Sequence, residues 1–125
     1  IVFSYTDPRI NTLYIDASSG AKTIQFYHPY GNTAFRFNDI TRDAGNNYIN
    51  FIPYSAGGTY WVGIANTTLP TTKITLRYAN VQGMQCYTRG KWFANSSVDS
   101  GNNSGLIFTK SNVVSGVIKT GIVNN

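Results

Sequence analysis

Apolar and polar residues alternate in short runs along most of the chain, the pattern of strands with one buried and one solvated face. Segment 22–28 sets Ile24, Phe26 and His28 on one side and Thr23, Gln25 and Tyr27 on the other. After the turn residues Pro29, Tyr30, Gly31 and Asn32, segment 33–37 returns with Phe35 and Phe37 on one face, which reads as the clearest hairpin. Segment 73–78 alternates too, with Ile74, Leu76 and Tyr78 inward and Lys73, Thr75 and Arg77 in solvent. Further strands are expected at 1–5, 12–16, 47–54, 59–66, 84–88 and 91–93, with Pro53 marking an edge or a strand end. Segment 38–44 has caps for one helical turn in Asn38 and Asp39, though it is too short to hold as a helix alone. Segment 105–125 has a different texture, short apolar groups broken by Ser, Asn and Gly. That texture fits the rungs of a β-helix, a strand exchanged with a neighbouring subunit, or a terminal hairpin. About ten short strands between turn signals predict an all-β fold, an antiparallel β-sandwich or jelly roll.

One motif occurs twice. Segments 37–47 and 93–103 share five of eleven positions: the leading Phe37 and Phe93, then Asp43 and Asp99, Gly45 and Gly101, Asn46 and Asn102, Asn47 and Asn103. Asp bonds to backbone amides just downstream, and Gly and Asn tolerate positive φ, so each copy reads as a polar turn delivering the chain into a strand. Gly63-Ile64-Ala65-Asn66 and Gly121-Ile122-Val123-Asn124 echo each other downstream, and together these predict a rough two-fold organisation.

Composition sharpens the β reading. The chain has no Glu, four Leu and one Met, against abundant Ile, Val, Thr, Tyr and Phe, while fourteen Asn and twelve Gly supply turns. Residues 1–125 are expected to form one domain, large enough to bury a core without disulfides, and the lone Cys86 permits no intrachain bridge. The longest apolar run, near 61–65, is far short of a membrane span. The chain begins at Ile1 and shows no signal peptide, as expected of a mature product or a fragment of something larger.

Candidate chemistry is sparse. A nucleophile needs a base, and the one histidine, His28, shares the face of Ile24 and Phe26 as a packed side chain would; pairing with Cys86 has no support in the spacing. One His and one Cys make no zinc site, the paired loops lack the ligand pattern of an EF-hand, and no cofactor is implied. Glycoside hydrolysis needs two facing carboxyls, for which Asp39 and Asp43 are the candidates, although they equally well bracket Arg42 or cap amides. The N-x-Ser/Thr sequons at Asn66, Asn95 and Asn102 are as many as this composition yields by chance. A net charge of +5 favours an anionic partner, but Arg36, Arg42, Lys73, Arg77, Arg89, Lys91, Lys110 and Lys119 form no dense run. That spread argues against nucleic acid and suits an anionic polysaccharide surface.

The surplus is aromatic: two Trp, nine Tyr and seven Phe. Phe26, Phe35, Phe37 and Phe51 fall on inward positions, whereas Tyr27, Tyr30, Tyr60, Tyr87, Trp61 and Trp92 fall near turns or opposite the expected core. Flat C–H faces of sugars pack on such rings while Asn, Asp and Arg bond to hydroxyls. The expected ligand-binding patch is Tyr87, Arg89 and Trp92, within six residues of one another, joined by Asp99, Asn102 and Asn103 of one paired loop and Asp43, Asn46 and Asn47 of the other.

The ending 102–116, punctuated by Asn, Gly and Ser, together with the Tyr- and Asn-rich body, resembles the distal domains of bacteriophage tail fibres and tailspikes. The resemblance implies a homotrimeric, jelly-roll-like head that recognises bacterial surface glycans outside the cell or on the virion, and it carries over no residue role. The leading expectation is a non-enzymatic carbohydrate-recognition module working as an oligomer. The alternatives are a polysaccharide-degrading fragment using Asp39 or Asp43, and a structural capsid- or pilus-like subunit.

Overall fold

The computed structural model describes residues 1–4, 9–27, 34–66 and 71–109. They form twelve strands: β1 (Val2–Ser4), β2 (Arg9–Ile15), β3 (Lys22–Tyr27), β4 (Phe35–Arg42), β5 (Ile49–Pro53), β6 (Tyr60–Ile64), β7 (Ile74–Arg77), β8 (Ala79–Val81), β9 (Met84–Cys86), β10 (Trp92–Asn95), β11 (Val98–Asp99) and β12 (Leu106–Thr109). The all-β class holds, but the antiparallel sandwich or jelly roll does not. Every strand pairing among the described residues is parallel. Sheets run β1-β3-β5-β8-β11, β2-β4-β6-β9 and β12-β10-β7, so the chain visits one sheet after another and each circuit lays a new strand on the last. This is a parallel β-solenoid of stacked coils.

The expected hairpin fails for the same reason. β3 pairs with β1 and β5, whereas β4 pairs with β2 and β6, so the two segments lie in different sheets; His28 and the turn residues 29–32 lie outside the described residues. Segment 38–44 makes no helical turn, because up to Arg42 it continues β4, paired with β2 along its length. Of segment 105–125, Leu106–Thr109 forms a strand that pairs in parallel with β10, as a rung of the stack and not one arm of a terminal hairpin, and residues 110–125 lie outside the described residues.

Parallel register stacks like on like. Ile10, Phe37 and Ile64 form one inward column, Phe35, Val62 and Cys86 a second, Ile24, Phe51 and Val81 a third, and Ile74, Trp92 and Leu106 a fourth. Aromatic rings join the sheets across the interior: Phe26 stacks on Tyr60 at 4.3 Å and meets Phe35 edge-on at 5.0 Å, while Phe37 meets Trp92 at 6.5 Å. Tyr60 and Trp92, both expected outside, are 0% exposed. The indole N–H of Trp92 donates to Thr88 Oγ1 at 2.9 Å, while Tyr60 Oη has no partner among the described residues, an omission worth ~1–3 kcal/mol that ring stacking offsets.

Amide side chains link the coils. Asn38 donates to Asn11 Oδ1 at 3.0 Å and accepts from the Asn66 amide at 2.8 Å; Asn80 donates to Asn50 Oδ1 at 2.8 Å, and Asn50 to Thr23 Oγ1 at 3.2 Å. A carboxamide can donate toward one coil and accept from the other, which explains much of the Asn content. Partners in neighbouring coils are 27 residues apart for Asn11 and Asn38, 30 for Asn50 and Asn80, and 18 for Ala79 and Ser97, so the coils shorten toward β12.

The two Asp-x-Gly-Asn-Asn loops share bonds but not place. In each, Asp accepts from the amide two residues on, Asp43 from Gly45 and Asp99 from Gly101, both at 3.0 Å, and the last Asn donates at 2.8 Å to an earlier coil, Asn47 to Ala17 O and Asn103 to Val81 O. The first loop leads from β4 into β5 and the second leaves β11, so they turn different corners. Gly101 has φ 106° whereas Gly45 is not in the left-handed region, which removes the two-fold reading.

Candidate functional site: the outer face of the four-stranded sheet

Alternation along β4, β6 and β9 sends Phe35, Phe37, Tyr60, Val62, Ile64, Met84 and Cys86 inward and leaves Arg36, Trp61, Gly63 and Gln85 outward. Register aligns Arg9, Arg36 and Gly63 across three coils, with Trp61 opposite Gln85. Just past β9, the Tyr87 amide donates to Val62 O at 3.2 Å, extending the pairing and placing Tyr87 beside Gly63. The Tyr87 ring then lies against bare backbone: a Cβ at Gly63 would sit 2.1 Å from its Cε1 atom. Its hydroxyl accepts from Arg36 Nε at 2.6 Å, and the guanidinium carbon is 5.8 Å from the ring centroid. Held from below and from the side, Tyr87 still leaves 39% of its surface in solvent, as does Trp61 two positions from Gly63 on the same face.

The expected patch is therefore partly dispersed. Tyr87 and Arg89 are exposed, and Arg89 runs its stem past Gly105, but Trp92 is in the core and has no face to offer a ligand. A tryptophan that opens a strand follows the strand's phase, and here that phase points inward beside Ile74 and Leu106. In the second loop Asn103 Nδ2 donates to Asp99 Oδ1 at 2.7 Å, and Asn103 Oδ1 accepts from the Met84 amide. Asn102, at φ 58°, accepts from Gln85 Nε2 through its carbonyl. Asn46 is exposed, while Asp43 and Asn47 clasp Ala17 between them, Asp43 Oδ1 taking its N–H at 2.8 Å.

The Asp43 carboxyl and the Cys86 thiol are not poised for catalysis. The Ala17 amide, then the Gly45 amide and the Arg42 guanidinium at 3.4 Å, hold the Asp43 carboxyl below its ordinary value, the reverse of what a general acid needs. Arg42 also donates to the Arg77 and Tyr78 carbonyls, so the pair works as a coil-to-coil clamp. Asp39 lies in the body of β4 beside Thr12. Burial pushes the Cys86 thiol up to about 12, leaving no thiolate at neutral pH. Among the described residues no three metal-ligating side chains gather, and no helix is long and apolar enough to cross a membrane.

No family model, curated protein or solved structure matches the chain. What identifies the site is thus its own geometry, in which residues missed by sequence reasoning matter most. Arg36 figured there only as one scattered cation and Gly63 only as part of a weak echo; their pairing depends on which coil lies beside which.

Proposed function

We propose that this chain is a surface-glycan recognition module and that it binds saccharide on the outer face of the four-stranded sheet. The observation that carries the reading is the Tyr87 ring, laid on Gly63 and fixed by Arg36, with Trp61 alongside. A preoriented aromatic plane loses little freedom when a sugar ring stacks on it, and the adjacent guanidinium favours sugars bearing a carboxylate or sulfate. A rigid repeating scaffold of coils about 4.8 Å apart is well suited to an extended polysaccharide. Such a module fits a fibre or spike head outside the cell or on a virion. Self-association into a trimer would use the five-stranded sheet, whose outward Thr23, Gln25, Tyr27, Asn50, Ile52, Tyr54 and Asn80 carry no charge on a chain of net charge +5.

The test is glycan binding by wild type, Tyr87→Ala and Trp61→Ala, with melting temperature and mass in solution measured on each protein. Loss of either ring is expected to weaken binding to uronate-containing oligosaccharides by ~1–3 kcal/mol, with fold and mass retained. Binding that survives both substitutions, or is lost only together with the fold, sinks the proposal.

A further inference from the structure

A second cleft lies where the chain turns from the three-stranded sheet into the five-stranded one. Tyr78 alone links β7 to β8, and Ser96 with Ser97 links β10 to β11. These corners stack: the Tyr78 amide donates to Asn95 O and the Ser96 amide to Thr109 O, each at 3.1 Å, while Tyr78 O accepts from the Ile49 amide at 3.0 Å. Both corner residues are left-handed, Tyr78 at φ 50° and Ser96 at φ 49°. A side chain is sterically costly there and glycine is not, so a tyrosine at this corner points to use of its ring.

The Tyr78 ring is fixed on two sides, meeting Tyr48 edge-on at 6.1 Å and facing the Arg77 guanidinium at 5.6 Å, and Tyr48 reaches Ser96 O through its hydroxyl. With Phe108 these rings wall a cleft of about 480 Å³, which Ser96, Asp99 and Thr109 also line. That volume falls within the range of small-molecule sites. Among the described residues Asp99 receives its two hydrogen bonds, from Gly101 and Asn103, on Oδ1, which leaves Oδ2 to accept from a ligand.

We infer that this corner cleft is a second saccharide subsite that takes neutral sugars. Pyranose C–H faces would pack on Tyr48, Tyr78 and Phe108, and hydroxyls would donate to Asp99. The inference stands on its own residues and does not need the first site to be correct.

Saturation-transfer NMR and titration with neutral mono- and disaccharides (glucose, galactose, N-acetylglucosamine, maltose, lactose) test it on wild type and on Tyr78→Gly, Tyr78→Asn and Asp99→Asn. Tyr78→Gly relieves the backbone while deleting the wall, so it is expected to keep or raise the melting temperature and to lower affinity at least tenfold. Tyr78→Asn, tolerant of the same φ, provides a second folded variant with the same expected loss. Asp99→Asn should weaken binding about fivefold. The inference is overturned if no saccharide in the panel binds or if the Tyr78 variants bind as wild type does.

Discussion

Replacing Gly63 by alanine places a methyl carbon where the Tyr87 ring lies, 2.1 Å from Cε1 and 2.3 Å from Cζ. Carbon atoms do not approach closer than about 3.4 Å without strain, so the ring must swing off the sheet. The swing breaks the bond from Arg36 to the hydroxyl, ~1 kcal/mol at so exposed a site, and uncovers the buried half of the ring, another ~1 kcal/mol. Against this, alanine in a strand interior gains ~0.5–1 kcal/mol over glycine. The net expectation is a loss of roughly 1 kcal/mol, or a fall in Tm of roughly 3–6 °C for a chain of this size. The double mutant isolates the cause: in a Tyr87→Ala background the clash is gone, and Gly63→Ala should become neutral or stabilising. Thermal and urea unfolding of the four proteins give the coupling energy, and a Gly63→Ala cost that is equal with and without the Tyr87 ring would refute the packing argument. On the binding side, Gly63→Ala should mimic Tyr87→Ala although the tyrosine is still present.

Three further expectations follow from burial and charge. Trp92→Ala removes the largest fully buried side chain and should cost ~3–5 kcal/mol in urea unfolding, and a loss under ~1 kcal/mol would return Trp92 to the surface. Because the Asp43 pKa is lowered from 3.8 in the fold, its stabilisation is complete above about 3.8 and disappears as pH falls through the lowered value; wild type should lose more stability than Asp43→Asn between pH 5 and about 2.5, and parallel acid profiles would contradict this. Cys86, raised from 9.0 to about 12, should resist thiol reagents at pH 8 until the protein unfolds, and its contribution should disfavour the fold between those two values, where only the unfolded thiol ionises; rapid labelling of native protein would refute its burial.

The β class and the inward set were legible because alternation has a period of two wherever a strand has one buried face. Ile24, Phe26, Phe35, Phe37, Phe51, Ile74 and Leu76 were all readable as core this way. Pairing direction was not, since the same alternation serves parallel and antiparallel neighbours, and turn-forming residues mark a solenoid corner as readily as a hairpin. A usable signal did exist. Arg9-Ile10-Asn11-Thr12-Leu13-Tyr14-Ile15-Asp16 matches Arg36-Phe37-Asn38-Asp39-Ile40-Thr41-Arg42-Asp43 at Arg, Asn and Asp, offset by 27 residues, the spacing at which these strands pair. Later coils are shorter, so the period fades, and the Asp-x-Gly-Asn-Asn echo, which joins two different corners, distracted from it. Trp61 and Tyr87 were legible as outward rings, whereas the support of Tyr87 by Gly63 and Arg36 exists only once coils are stacked.

The shortening coils also bear on how the chain folds. Paired residues in adjacent coils are 23 apart at β1 and β3 and 27 to 30 apart from β2 to β8, but only 14 apart at β10 and β12. With no hairpin among the described strands, loop closure must precede nearly every native contact, so folding should be slow for a domain of this length. Closure is cheapest where coils are tightest, which favours nucleation among β7, β10 and β12. Each earlier coil would then wind onto a surface already formed, and growth would run from the later strands back toward Ile1, against the direction in which a ribosome releases the chain.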